Sequence, residues 1–559
     1  MKSFDPVHSV RRWARSSPWL VMSVLIHLIV LVGLGLVVIR HGKGRRAETS
    51  GFITVVRPHD LPDAEPIGPE PLIVRSAIPP DLPGTLAPPD EYVSTFADAP
   101  IPDDPVADPG LPDGAEGGDL GGPVSSTGIG VGPGGRRGPG VTAFPNRIPG
   151  PGSGIPPKGS SDRRLRTDAA VLEGLRWLVR HQNPDGSWGA RALKERCAAE
   201  TPCFDPQASL TDHYDEGLTG LALLCFLGAG FGHDSRQYIV DPVQARRHRI
   251  GEVVKKGLEW LKRRQNPDGS FSRDRTFMYD EALATMALSE AYGLTRKRYW
   301  GEPAQKAVDF LQRAQRPNPS GQGLWGWRYA SRQEVEDFRG STGNPGFERE
   351  LYDSDTSVTT WCVMALKSAQ ISGLSVEPAA LDGAMEFCRF ATASDGLVGY
   401  LDAKGAGQVV TGPNDHFTYH AGTMSALGMC IRIFAKHDPS DPFLELAARR
   451  IVQDLPAVSK DRLSVDYYYW YYASIALNQL DGEGSPRRTG RYWNPWNRAM
   501  VEAVLALQDK TERACTCGGW ITGDRWSYAG GPVYSTAINV LTLEVYYRYE
   551  NAFGGVKRY

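Results

Sequence analysis

The chain has 559 residues, 41% hydrophobic and 23% charged, with a net charge of −2. That is long and apolar enough for one large folded body with appendages, and the charge balance gives no sign of a nucleic-acid partner. Length alone would suggest three or four domains, but composition separates an anchor, a tether and one helical body. The expected divisions are a short basic cytoplasmic tail at 1–17, a transmembrane helix at 18–40, a disordered Pro/Gly-rich acidic linker at 41–160, and the body at 161–559.

Residues Trp19 to Ile39 form a 21-residue apolar run, which as a helix spans roughly 30 Å, the thickness of a bilayer core. Arg40, Lys43, Arg45 and Arg46 follow it where a cleaved signal peptide would carry small residues, so a single-pass anchor is expected over a leader. Lys2, Arg11, Arg12 and Arg15 on the other side balance them, so the positive-inside rule leaves orientation open. Ser23 and His27, four residues apart, share one helix face. With the Pro-rich acidic stretch that follows, this segment resembles the N-terminus of TonB-type energy transducers. The resemblance implies a cytoplasmic N-terminus, a periplasmic body, and Ser23 and His27 facing a proton-driven inner-membrane motor. Alternatively, His27 snorkels towards the headgroups.

From Gly51 to Ser160 the chain holds 23 of its 42 prolines, and between Pro58 and Leu120 there are 14 acidic residues against one basic, Arg75. Such a segment buries too little apolar surface to offset its ordering entropy, so it reads as a partly extended tether. A Pro-rich partner motif is the other reading.

The body is organised around a repeat. Glu173-Gly174-Leu175-Arg176-Trp177-Leu178, ending in Gln182-Asn183-Pro184-Asp185-Gly186-Ser187-Trp188, is matched by Lys256-Gly257-Leu258-Glu259-Trp260-Leu261, ending in Gln265-Asn266-Pro267-Asp268-Gly269-Ser270-Phe271. The spacing predicts an amphipathic helix stopped by turn chemistry, then an aromatic, then a more apolar helix opened by Tyr214-Asp215-Glu216 or Tyr279-Asp280-Glu281. Weaker copies start at Lys306, Leu381, Pro442 and Pro495, giving six helical hairpins that must stack on one another to bury their apolar faces. Arg176, Arg180, Lys262, Arg263 and Arg264 are expected on the mixed outer faces.

This pattern resembles the QW repeat of squalene and oxidosqualene cyclases, shared more loosely with the β subunits of protein prenyltransferases. The resemblance implies an all-α fold, an (α/α)6 toroid of six inner and six outer helices, enclosing an apolar cavity for an isoprenoid or other lipid ligand. Tyr467-Tyr468-Tyr469-Trp470-Tyr471-Tyr472 puts six aromatics on under two helical turns, either lining that lumen or filling a wide core.

Asp353 and Asp355, in Tyr352-Asp353-Ser354-Asp355-Thr356, resemble the Asp-x-Asp-Asp-Thr acid motif of the cyclases, with Asp355 as the proton donor and Thr356 standing where the third Asp belongs. The same pair followed by Tyr419-His420 resembles the prenyltransferase zinc site, with Asp355 in place of the cysteine; Asp353, Asp355 and His420 could then hold a divalent metal such as zinc. The alternative is ordinary capping, because Tyr-Asp recurs at the starts of inner helices. Cys197, Cys203, Cys515 and Cys517 lie in the first and last repeats, which a closed ring makes neighbours. They are expected to form one or two disulfides, or to bind zinc as four thiolates. Two function classes stay open: a membrane-tethered enzyme acting on a polyprenyl lipid, and a toroid that binds or scaffolds without turnover.

Overall fold

The computed structural model describes residues 54–56, 162–197, 202–204, 213–272, 276–342, 351–406, 409–411, 416–436 and 438–548. The chain divides into Met1–Thr54 and Val55–Tyr559. The expected anchor at 18–40, with Ser23 and His27, lies outside the described residues, as does the expected linker apart from a strand, β1, at Thr54–Val56. Among the described residues no helix is long and apolar enough to cross a membrane.

The body is built of alternating helices of two kinds. One kind is α1 (Asp162–Arg180), α4 (Ile250–Arg264), α6 (Arg298–Arg313), α9 (Pro378–Phe390), α11 (Pro442–Ile451) and α13 (Trp493–Leu507). The other is α3 (Asp215–Gly228), α5 (Met278–Thr295), α8 (Thr356–Ile371), α10 (Gly422–Lys436), α12 (Tyr467–Asp481) and α14 (Gly531–Leu543). Short helices α2 (Leu193–Arg196), α7 (Arg332–Thr342) and α15 (Val545–Arg548) lie in the connections.

Sequence decides which kind goes where. In α4 the buried residues include Ile250, Val253, Val254, Leu258 and Leu261 at helical spacing, while Glu252, Lys255, Lys256 and Arg263 face solvent, so it covers a core on one side only. In α3 every residue from Glu216 to Gly228 is buried, and in α10 every residue from Gly422 to Phe434. A helix apolar all round must be surrounded. Accordingly α3 packs on α5, α5 on α8, α8 on α10, α10 on α12 and α12 on α14, and α14 returns to α3. The inner helices form a closed ring, and the other six wrap it in the α/α toroid arrangement that the repeat predicts.

The repeat's residues hold this ring through one set of bonds. Gln182 Nε2 donates to Gly186 O in its own turn and to Val253 O in the next outer helix, both at 2.9 Å. Gln265 reaches Pro303 O at 2.9 Å and Gln315 reaches Ala380 O at 2.8 Å in the same way. The repeat's glycine is needed where it occurs: Gly186 has φ +100°, and a Cβ there would sit 2.3 Å from Lys256 O. The aromatic after the turn folds back. Trp188, Trp327 and Trp520 each donate Nε1 to a carbonyl of their own outer helix, at 2.8 Å. Their backbone N–H groups meet Thr219, Thr359 and Thr536 of the inner helix.

The fold is not wholly α. Strand β2 (Tyr238–Asp241) pairs antiparallel with β3 (Arg246–Arg249), Tyr238 opposite Arg249 and Asp241 opposite Arg246. This hairpin carries Asp241 to Arg180, which corrects the expectation for two of the outer arginines. Arg176 and Arg180 are 3% and 6% exposed. Arg176 pairs with Glu173 at 2.5 Å, and Arg180 with Asp241 at 2.5 Å. The connections of the first and last hairpins cover the C-terminal half of α1, so Arg176 and Arg180 are held inside, while Arg166 near its start is exposed.

Candidate functional site

The acid expected from the Asp-x-Asp pattern sits at the N-terminus of α8, at one end of the inner ring. Asp355 is the N-cap residue: its Oδ1 accepts a hydrogen bond from Val358 N at 2.8 Å. Its backbone is pinned by Trp327 O at 2.9 Å. The residue is fully buried, and its second oxygen, Oδ2, makes no hydrogen bond; the nearest cation, Arg328 Nη1, lies 3.9 Å away. Burial pushes the Asp355 carboxyl up to about 6, against the Arg328 charge, the backbone N–H groups of Val358 and Ser357, and the nearby Tyr400 hydroxyl, all of which favour the carboxylate. Thr356, in the place of the cyclases' third Asp, donates its hydroxyl to Gly399 O at 2.7 Å and so serves the backbone. Asp353 is half-buried one turn outside, and its charge reaches the same Arg328.

Aromatic side chains surround this acid. Tyr329 and Tyr400 share a hydrogen bond between hydroxyls at 2.5 Å. Tyr214, Phe277, Tyr279 and Tyr329 form a continuous half-buried array, with Phe277 5.1 Å from Tyr214, 5.3 Å from Tyr279 and 6.1 Å from Tyr329. Burial, with the Asp355 charge adding in the same sense, holds the Tyr279, Tyr329 and Tyr400 phenols up and neutral. This end of the ring, its mouth, therefore presents aromatic rings over a buried carboxyl, Asp355. Arg328, Tyr329 and Tyr400 are not singled out by the sequence pattern; the Trp325-Gly326-Trp327-Arg328-Tyr329 run that follows the third turn carries the only hint of the first two.

Below the mouth the interior is filled, which corrects the expectation of an apolar hollow. Tyr279 hydrogen-bonds Ser357 at 2.7 Å, and Ser357 bonds Tyr468, so α5, α8 and α12 are linked past α10. One turn deeper, Trp361 of α8 packs against Tyr471 and Tyr472 of α12 at 5.8 and 5.4 Å. All six aromatics from Tyr467 to Tyr472 are buried. At the far end, Arg548 donates to Glu290 at 3.0 Å and to Leu224 O at 2.7 Å, and Ser368 donates to Glu290 at 3.1 Å. Arg548, on α15 just past α14, thus ties α3 and α5 together at that end, and Glu290 ties α5 to α8. The aromatics of α12 fill a wide core.

His420 does not complete a metal set with Asp353 and Asp355. Its Nδ1 meets Asp454 Oδ2 at 2.7 Å and its Nε2 meets Ser464 O at 3.1 Å, so both ring nitrogens are engaged away from Asp355. Burial works against the imidazolium, but the hydrogen bond to Asp454 and the Asp466 charge outweigh it and raise the His420 pKa. A doubly donating imidazolium has no lone pair for a metal. Its role is at the start of α10, where Thr423 bonds back to His420 O at 2.8 Å.

The expected disulfides are also corrected. None joins the cysteines among the described residues. Instead Cys197, Cys203 and Cys515 converge on His181, the residue after α1, with their sulfurs 3.6, 3.4 and 3.2 Å from its Nε2. Cys517 stands outside this group, its carbonyl taking a hydrogen bond from Arg180 at 2.5 Å. Sequence reading paired the right loops but missed His181. Its signal was a substitution within the repeat: His181 precedes Gln182 where Arg264 precedes Gln265.

No family model matches the chain. A stretch of 113 residues is 32% identical to squalene–hopene cyclase of Alicyclobacillus acidocaldarius, covering 20% of this chain and 15% of the cyclase's length. Among solved structures, the type II terpene cyclase MstE from Scytonema overlaps 68% of this chain and 98% of its own, with TM-score 0.40 and 13% identity. A Salegentibacter α-1,6-mannanase overlaps 67% of this chain and 97% of its own, with TM-score 0.41 and 12% identity. The body is a squalene cyclase/prenyltransferase-like toroid, on its own ring of helices and on the stretch of sequence shared with the cyclase.

Proposed function

We propose that the aromatic mouth of the toroid receives an apolar, isoprenoid-like chain, with Asp355 as the acid at its floor and Asp353 beside it. The observation that carries this reading is the state of Asp355: a buried carboxyl with one oxygen spent on a helix cap and the other without a hydrogen bond, beneath half-buried tyrosines. A carboxyl held near neutral pH in an apolar setting keeps a proton to give, and aromatic faces attract the cation that proton transfer to a double bond creates. The stretch shared with squalene–hopene cyclase supports the same class of ligand.

The test uses the full chain in detergent, titrated with geranylgeraniol and followed by native mass spectrometry. Binding should weaken about tenfold in Tyr329→Ala, as expected for losing an aromatic contact face, and survive in Asp355→Asn while any turnover is lost. Undiminished binding in the tyrosine variant would remove the mouth as the site. No binding at all would favour the second reading, a protein-binding scaffold without turnover, which the filled interior supports.

In either reading the toroid is held at a membrane by 18–40 and works in the periplasm, with Ser23 and His27 meeting a proton-driven inner-membrane motor. Protection of the body from protease added outside spheroplasts would contradict that placement. Function retained in full by His27→Ala would remove the motor.

A further inference from the structure

We infer that His181 Nε2 and the sulfurs of Cys197, Cys203 and Cys515 bind one zinc ion that clasps the first hairpin of the toroid to the last. The four ligand atoms lie within 4.8 Å of one another. Zinc about 2.3 Å from sulfur and about 2.0 Å from nitrogen would set tetrahedral N···S edges of about 3.5 Å. The three observed are 3.6, 3.4 and 3.2 Å. Side chains arriving from four points of the chain thus gather four ligand atoms whose N···S spacings are close to those of a tetrahedral zinc site.

The surroundings suit a closed structural site. His181 Nδ1 lies 2.8 Å from Trp177 O, which places the ring proton there and leaves the Nε2 lone pair for the sulfurs. The ring is also stacked on Trp177 with centroids 3.9 Å apart. Cys203 and Cys515 are buried with His181, and only Cys197 is half-buried. Arg180, next in sequence, fixes the loop that supplies Cys515 through its carbonyls, at 3.2 Å to Cys515 O and 2.5 Å to Cys517 O. Three thiolates and an imidazole fill four positions, so no coordination site is left for substrate, and soft ligands in tetrahedral array select zinc over harder divalent ions.

The position gives the ion its task. Five of the six seams between hairpins are crossed by the chain itself; the sixth, between α13–α14 and α1–α3, is not. His181 and Cys515 are 334 residues apart in sequence and meet at that seam. One ion there replaces the missing covalent link.

The experiment is metal analysis of the full chain purified under reducing conditions without added chelator. One equivalent of zinc is expected. Exchange for Co2+ should give the thiolate charge-transfer and visible bands of a tetrahedral S3N site. Cys515→Ser should lose the metal, Cys517→Ser should keep it, and His181→Cys should keep it with a shifted cobalt spectrum. Stripping the metal should lower Tm by about 5–10 °C. Substoichiometric zinc after reconstitution of the wild-type chain would overturn the assignment, as would iron in its place, a Cys197–Cys203 disulfide by alkylation and mass, or equal metal loss in Cys517→Ser. Stoichiometry and the cobalt spectrum are read on the unmutated protein, so a variant that fails to fold leaves the assignment open to refutation.

Discussion

The seam between the first and second hairpins and the seam between the sixth and the first use the same contacts, although the chain crosses only one of them. At the first, Gln182 reaches Val253 O, Gly186 abuts Lys256 O, and Trp188 lies against Gly257. At the second, Gln508 reaches Ala170 O at 2.9 Å, Gly518 abuts Glu173 O, and Trp520 lies against Gly174. The sixth hairpin treats the first as its successor. Closure therefore needs no special surface, only that the repeat close on itself after six units. The difference between the seams is what was added to the open one: a buried arginine, a β-hairpin bearing its partner Asp241, and the His181 cluster.

The glycines test this equivalence most severely. Gly518 has φ +85° and a Cβ there would sit 2.3 Å from Glu173 O; the Gly186 figures are +100° and 2.3 Å from Lys256 O. Alanine at either should cost about 3 kcal/mol or more by chemical denaturation, through strain and backbone overlap. A much larger loss in Gly518→Ala than in Gly186→Ala would show that the sixth seam bears more of the stability than an internal one. The glutamines come next. Gln508→Ala strands two buried carbonyls and should cost about 2–3 kcal/mol, against about 1–2 kcal/mol for the half-buried Gln182→Ala. Equal costs would show that burial at the closing seam adds nothing.

A third prediction sharpens the contrast between Asp355 and an ordinary cap. Asp466 also caps its helix, accepting from Tyr469 N at 2.9 Å, but the same oxygen takes a second bond from Trp526 Nε1 at 3.1 Å. The Asp355 carboxyl near 6 stands above its ordinary value of about 3.9. The native state therefore binds a proton that the unfolded chain has released, and stability falls as pH rises from about 4 to about 6, by up to ~3 kcal/mol. Asparagine keeps an acceptor for Val358 N and carries no charge, so Asp355→Asn should flatten that slope and be neutral or stabilising at pH 7. Burial raises Asp466 too, but the His420 and Arg525 charges favour its carboxylate, so Asp466→Asn should destabilise by removing their counter-charge. A marked loss in Asp355→Asn would mean that the carboxylate is there for the helix. The smallest effect belongs to His420. Its raised pKa makes its contribution full below the ordinary histidine value of about 6.5 and lost as pH rises through the folded value. Because Asp454 is 44% exposed, His420→Gln should remove less than about 1 kcal/mol. A larger loss would place His420 in a tighter network than its two bonds describe.

The ring was legible in the sequence because four of the six repeats carry Gln for two carbonyls and an aromatic for the fold-back, at Gln182, Gln265, Gln315 and Gln508, while the fourth and fifth keep the helical pattern without that pair. Asp355 was legible for a related reason, since acids recur where inner helices begin, although the cap falls on Asp355 rather than Asp353. What could not be read depends on contacts outside the repeat. Arg176 and Arg180 carry the periodicity of a solvated face, but irregular connections fold over them. Tyr400 comes to the site through a loop that no spacing rule ties to Asp355. The hollow is what the family's architecture implies, whereas Trp361 and the tyrosines of α12 pack against one another inside the ring, all buried.

The bridge of Arg548 and Glu290 across the far end has a bearing on traffic. With that end tied shut and the middle packed, a ligand of the proposed kind would have to arrive and depart past Tyr214, Phe277, Tyr279 and Tyr329, so a change at those rings would alter both rates together.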